Sequence, residues 1–166
     1  GTYIPLYGSD SLQITITDFQ MDVYPVTNQQ YIEFVKKYPK WKRSNVKKLF
    51  VDGNYLRDWK SDTLLNEDQS LKAPITNVSW FAAKDYCECQ GKRLPTLDEW
   101  EYVAMANKEM PDARRLKDYN EFILSWYEKP KTSTNHIGST FKNYWKVYDL
   151  HGLVWEWTYD FNSVLI

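Results

Sequence analysis

Residues 74–104 read PITNVSWFAAKDYCECQGKRLPTLDEWEYVA, a stretch that holds two helix starts, one helix stop and the turn between them. Ser79 can cap a helix whose inner face includes Ala82, Ala83, Tyr86 and Cys87, and Gly91 supplies a left-handed stop. Thr96 and Glu99 stand three apart as a capping box, with Trp100, Val103 and Ala104 on the buried side of the next helix. Cys87 and Cys89 lie two apart in the first of these helices, where they point to nearly opposite sides and cannot easily form a disulfide with each other. A buried thiol facing the core is the plain reading of Cys87, and Cys89 is expected outside the core. A lone C-x-C is poor evidence for zinc.

Upstream, Thr27 and Gln30 make a second capping box, and Tyr31, Phe34, Val35 and Tyr38 follow at helical spacing up to Pro39. Before it, Leu12, Ile14 and Ile16 alternate with polar residues towards Phe19 and Met21, the period of a half-buried strand. Residues 41–72 show no sustained period and read as a long insertion. From Asp112 the chain reads as aromatic loop, closing on short irregular strands in NYWKVYDLHGLVWEWTYDF. About three short helices and short antiparallel strands are therefore expected, an α+β class with little regular structure, in one domain spanning 1–166 and without repeats or linkers.

Bulk composition limits the partners. The 21 basic and 22 acidic residues nearly cancel, leaving a net charge of -1 and no electrostatic footprint for nucleic acid or an anionic membrane. Aromatics reach 17%, with 8 Trp, 13 Tyr and 7 Phe, which suits a core of large rings and a ligand surface with apolar faces and polar tips. No run of about 18 apolar residues is present, so no transmembrane segment is expected. The start at Gly1 suits a processed, exported chain of the periplasm, cell envelope or a secretory compartment, although a trimmed boundary explains it equally.

Three blocks in order, YPVTNQQYIEFV at 24–35, the stretch at 74–104 and VYDLHGLVWEWTYDF at 147–161, resemble the formylglycine-generating-enzyme (sulfatase-modifying-factor) family. The middle block is the most specific, joining P-x-x-x-V-S-W, a short helix, G-K-R-L-P-T and E-W-E-Y without gaps. The resemblance implies a C-type-lectin-like domain. It also implies that the catalytic cysteine pair belongs to a carboxyl-terminal segment beyond the W-E-W block, so residues 1–166 are expected to form such a domain without that segment. No catalytic residue is assigned for that reason, and Cys87 matches a structural disulfide cysteine whose partner lies in that segment, while Ala104 stands where another family cysteine would be.

By the same resemblance, the W-E-W block wraps a calcium ion through side-chain oxygens of Asp149 and Glu156 and backbone carbonyls of Gly152 and Val154. Two carboxylates across a glycine-containing turn are hard oxygen donors that suit calcium better than zinc. Outside the family context, D-x-x-G-x-x-x-E is usually a surface turn. Leu153 replaces the family's asparagine, and the upstream calcium loop has no match in SWYEKPKTSTNHIG, so at most one ion is assigned. His136 and His151 read as loop or structural residues, and Arg93, Glu99 and Glu101 as the source of a buried ion pair fixing a helix start rather than as an acid-base set.

Two functions follow from the resemblance. One is a non-catalytic binding or accessory module for a protein or peptide, with carbohydrate as another possible ligand. The other is the amino-terminal part of a copper-dependent oxidase that converts a sulfatase cysteine to formylglycine, open only if the cysteine pair lies outside these residues. A more distant class comprises family branches in small-molecule maturation or in service of redox enzymes in the cell envelope.

Overall fold

The computed structural model describes residues 1–6, 12–130 and 132–160. Its regular elements are short: β1 (Thr2–Tyr3), β2 (Ile14–Thr15), α1 (Asn28–Lys37), β3 (Trp59–Ser61), β4 (Leu64–Leu65), α2 (Trp80–Cys89), α3 (Leu97–Ala104) and α4 (Lys117–Tyr127), with single 3-10 turns at Pro39–Trp41 and Thr132–Thr134. β1 pairs antiparallel with β2, and β3 with β4. This is the expected α+β class with little regular structure.

The helix starts form as their capping residues dictate. Thr27 and Gln30 close a reciprocal box, as do Thr96 and Glu99, and the Ser79 hydroxyl accepts from the Ala82 amide. Each such cap satisfies amide groups that the first helical turn leaves without partners. Gly91 adopts φ +69 behind α2, the left-handed stop that only glycine adopts freely. The Arg93 guanidinium grips both carboxylate oxygens of Glu99 at 2.6 and 2.7 Å, and this pairing holds the carboxyl below its ordinary pKa. The pair is buried on its Glu99 side only, since more than half of the Arg93 side chain stays exposed.

Several expectations meet a different structure. Lys117–Tyr127 is a fourth helix rather than loop: Tyr119, Phe122, Ile123 and Trp126 recur at helical spacing, but Leu116 at the cap position makes no side-chain cap and so gives no start signal. Residues 41–72, read as a long insertion, are integral to the core. Trp41, Tyr55, Leu56 and Trp59 are buried in the largest core with Tyr31, Ile32, Phe34 and Val35 of α1 and Ala82 of α2. Finally, the face of α2 that meets this core runs through Ala82, Tyr86 and Cys89, so Cys89 packs against it while Cys87 is half-buried to one side. The 142–160 stretch also holds little strand, with one isolated bridge between Lys142 and Tyr148, and Phe161 lies outside the described residues.

A second core joins Val103 and Ala104 of α3 to Val147 and Leu150. The carbonyls at the end of α3 find partners from three directions. Asn143 Nδ2 donates to Val103 O at 2.8 Å, Tyr119 Oη donates to Ala104 O at 2.9 Å, and His151 Nε2 meets Ala104 O at 2.9 Å. This arrangement locks the 143–151 turns and α4 against α3. Among the described residues, no helix is long and apolar enough to cross a membrane.

Candidate functional site: an aromatic and acidic cavity beside the W-E-W turn

Residues 154–160 form no helix or strand and are held by contacts with neighbouring elements. Trp80 Nε1 donates to Thr158 O and Trp157 Nε1 to Val78 O, each at 2.9 Å. Leu97 N donates to the Asp160 carboxylate at 2.7 Å, and Tyr159 N to Pro95 O at 2.7 Å. Between these anchors the W-E-W residues diverge. Trp155 is 88% exposed, and the Glu156 carboxylate turns back to accept from Trp100 Nε1 at 2.7 Å.

Beside this segment opens a cavity of about 400 Å³, within the range of small-ligand sites. Trp100 of α3, Trp126 and Tyr127 of α4, Lys129, and Gly152, Val154, Trp155 and Glu156 are among its walls. Trp126 lies against the bare backbone of Gly152, which has φ +91; a β-carbon there would meet the Trp126 side chain at 2.6 Å. Thr132 Oγ1 donates to Leu153 O at 2.7 Å and closes the floor.

The four residues expected to hold a cation divide here. Gly152, Val154 and Glu156 line the cavity; Asp149 does not. Asp149 is 1% exposed with φ +64, and its carboxylate accepts from the amides of Gly138 and Thr140 and from the Thr140 hydroxyl. A calcium ion requires six to eight oxygens. With Asp149 engaged on the 138–140 loop, the arrangement does not fit an ion held by all four residues together. Among the described residues, no three His, Cys, Asp or Glu side chains gather as a metal cluster.

Crowding by protein atoms pushes the Glu156 pKa up to about 7, with the Trp100 hydrogen bond opposing and the Asp149 charge adding to the rise. The residue as a whole is nevertheless exposed. Water entering the open side of the cavity tempers the shift, and its direction is upward.

His151 has a structural role through its ring as well as its backbone. Ala104 O can only accept, so Nε2 carries the proton in that bond, and burial lowers the ring's pKa and keeps it neutral. Its buried Nδ1 has no hydrogen-bond partner among the described residues, nor has the buried Trp126 Nε1. His136, by contrast, sits exposed against the Ser70 hydroxyl at 3.1 Å.

The two cysteines do not converge with this cavity, of which neither is a wall. Burial, followed by the Asp22 charge, pushes the Cys87 thiol up to about 11, so it stays protonated at neutral pH. Two cysteines on opposite sides of one helix do not fit copper between paired thiolates.

A family model for the sulfatase-modifying factor enzyme 1-like domain matches residues 9–164. The inactive C-alpha-formylglycine-generating enzyme 2 of Bos taurus is 28% identical over 195 residues, covering 88% of this chain and 61% of that protein. The serine/threonine-protein kinase Pkn1 of Chlamydia trachomatis is 28% identical over 150 residues, 90% of this chain and 24% of the kinase. The formylglycine-generating enzyme of Mus musculus is 35% identical over 104 residues, 55% of this chain and 28% of the enzyme. The chain thus spans less than two thirds of the length of each of these relatives. With the capping boxes of α1 and α3 and the W-E-W turn in place, the match over 9–164 shows that this chain belongs to the sulfatase-modifying-factor, or formylglycine-generating-enzyme-like, family.

Proposed function

We propose that this domain works as a non-catalytic binding or accessory module, built like a formylglycine-generating enzyme but without its oxidation chemistry. The similarity over 88% of this chain to the bovine relative named inactive carries the reading. Within these residues the two cysteines supply no reactive pair: they share one helix, lie away from the aromatic cavity, and include one thiol that burial holds protonated. The test is to incubate the chain with a sulfatase-type cysteine peptide, copper and oxygen, and to follow the peptide by mass spectrometry. The peptide is expected to keep its thiol; an aldehyde product overturns the proposal.

A second reading draws on the 35% identity to the mouse enzyme: the chain as the amino-terminal part of a copper-dependent oxidase. It requires a cysteine pair supplied from beyond these residues. The same assay on the full native protein, compared with the chain alone, separates the two readings.

Calcium at the W-E-W turn belongs to the proposal as its family-based part, supported by Gly152, Val154 and Glu156 lining one cavity. Asp149 joins them only by leaving the 138–140 loop. A ligand at a hundred times its Kd stabilises the folded state by about 2.7 kcal/mol, so a bound ion should raise the melting temperature in calcium chloride over that in EGTA. Glu156→Gln should remove the rise, and an unchanged wild-type melting temperature discards the ion. A protein or peptide is the proposed partner, with an exported location.

A further inference from the structure

The net charge of -1 averages over an uneven chain. Residues 36–48 hold seven of the 21 basic residues and no acidic one, so the remainder is acidic. This stretch is a folded ridge. It leaves α1 through the 3-10 turn at Pro39–Trp41, after which Val46 N donates to Lys42 O at 2.9 Å and Phe50 N to Lys47 O at 3.0 Å. Asn45 Nδ2 ties back to Pro39 O at 3.2 Å, and the buried Trp41 meets the Phe50 ring at 6.3 Å, which pins the 47–50 turn beside the 39–41 turn.

Two carboxylates of the chain dock on this ridge. Asp62, between β3 and β4, accepts from the Ser44 hydroxyl at 2.6 Å and the Ser44 amide at 2.9 Å, one bond to each of its oxygens. Those bonds, and then the charges of Lys42 and Arg43, hold its carboxyl below the ordinary pKa. Asp85 of α2 pairs with Lys40 at 2.9 Å and accepts from Trp41 Nε1. Lys36 and Lys37 face the negative end of α1, with Glu33 one turn before them. Lys47 and Lys48 are exposed and have no ion pair among the described residues, and Asp52 beyond them accepts from the Asn54 amide at 2.8 Å. Leu49, next to this pair, is 83% exposed.

We propose that this ridge receives a short acidic segment of a protein partner, whose carboxylates pair with Lys47 and Lys48 while an apolar side chain rests on Leu49. The inference rests on the binding-module reading and gives it a ligand class. Asp62 and Asp85 show the chemistry in miniature, since each brings a carboxylate from another element onto the same turns. The acidic remainder of the chain repels a long anionic polymer and limits the contact to a short segment. A single exposed leucine is a small anchor beside the apolar face with which a surface helix enters a bilayer, which favours a peptide over a lipid surface.

The experiment follows the fluorescence anisotropy of a labelled hexaglutamate peptide as the chain is added at low ionic strength. Saturable binding that weakens with salt is expected. The double variant Lys47→Gln, Lys48→Gln should bind about fivefold more weakly, the value of two exposed ion pairs. The double variant Lys108→Gln, Lys117→Gln loses the same charge outside the ridge and should bind as wild type does. All four lysines are exposed, so these replacements leave the fold intact. Absence of binding, or equal weakening in the two variants, overturns the ridge as a site. Binding to phosphatidylserine vesicles without binding to the peptide overturns the peptide in favour of a lipid surface. Either failure beside an unoxidised cysteine peptide leaves the non-catalytic module standing, whereas aldehyde formation overturns that module whatever the anisotropy gives.

Discussion

Asp149→Ala is expected to destabilise the domain by about 3 kcal/mol, one of the largest losses available from a single polar side chain here. Asp149 is almost wholly buried, and its two oxygens receive three donors from one short loop: the Gly138 amide, the Thr140 amide at 2.9 Å and the Thr140 hydroxyl at 2.9 Å. Removing the carboxylate leaves those donors facing an empty space, and an unsatisfied buried donor costs roughly 1–3 kcal/mol. Partial opening of the 138–140 loop to water keeps the total below the simple sum. The backbone adds a smaller term, because Asp149 holds φ +64, a conformation that aspartate and asparagine tolerate better than alanine.

Asp149→Asn is the informative comparison. It keeps the backbone tolerance and one acceptor oxygen but turns an amide donor towards a donor, so a loss of about 1–2 kcal/mol is expected. Urea unfolding of the three proteins reads the difference. An unfolding free energy for Asp149→Ala within about 1 kcal/mol of wild type would mean that the loop does not depend on Asp149, and its carboxylate would then be free for a cation. The stability measurement therefore bears on function: the more firmly Asp149 holds the loop, the less it is available to the Glu156 cavity.

Local rules account for what was legible. The boxes Thr27–Gln30 and Thr96–Glu99, the Ser79 cap and the Gly91 stop are decided within four residues of sequence, and all four form. α4 carried a usable signal in Tyr119, Phe122, Ile123 and Trp126, but without a capping residue its start was silent. Residues 41–72 defeated periodicity for another reason. Trp41, Tyr55, Leu56 and Trp59 enter the core one at a time from turns, and no regular period marks such contacts. At the site, the oxygen-bearing residues of the turn were legible in type and order. Their directions were not, because the partners of Asp149 lie at 138–140 and that of Glu156 lies on α3, 56 residues away. Nor did any local pattern announce Trp126 and Lys129 as walls of the same cavity.

Gly152→Ala should cost about 3–4 kcal/mol through two separable effects, a strained backbone and a collision. At φ +91 the residue lies in the region L side chains rarely adopt, a strain of about 1 kcal/mol or more. The new β-carbon would also stand 2.6 Å from Trp126 Cγ and 2.7 Å from its Cβ and Cδ2. These atoms are the root of the indole, so the ring cannot escape by rotating its far end; α4 or the turn must shift. That shift moves the cavity wall on which Lys129 rests, and the Trp126 indole N–H resonance should move with it. A double-mutant cycle with Trp126→Ala separates the terms, since removing the indole relieves the collision and leaves the backbone strain. Coupling of about 1–2 kcal/mol is expected, with Gly152→Ala costing less in the Trp126→Ala background than alone. Strict additivity would assign the whole loss to φ and deny that Trp126 seats on Gly152. Coupling would make the glycine of the W-E-W turn the residue that lets an indole form the cavity wall, a role independent of any metal carbonyl it supplies.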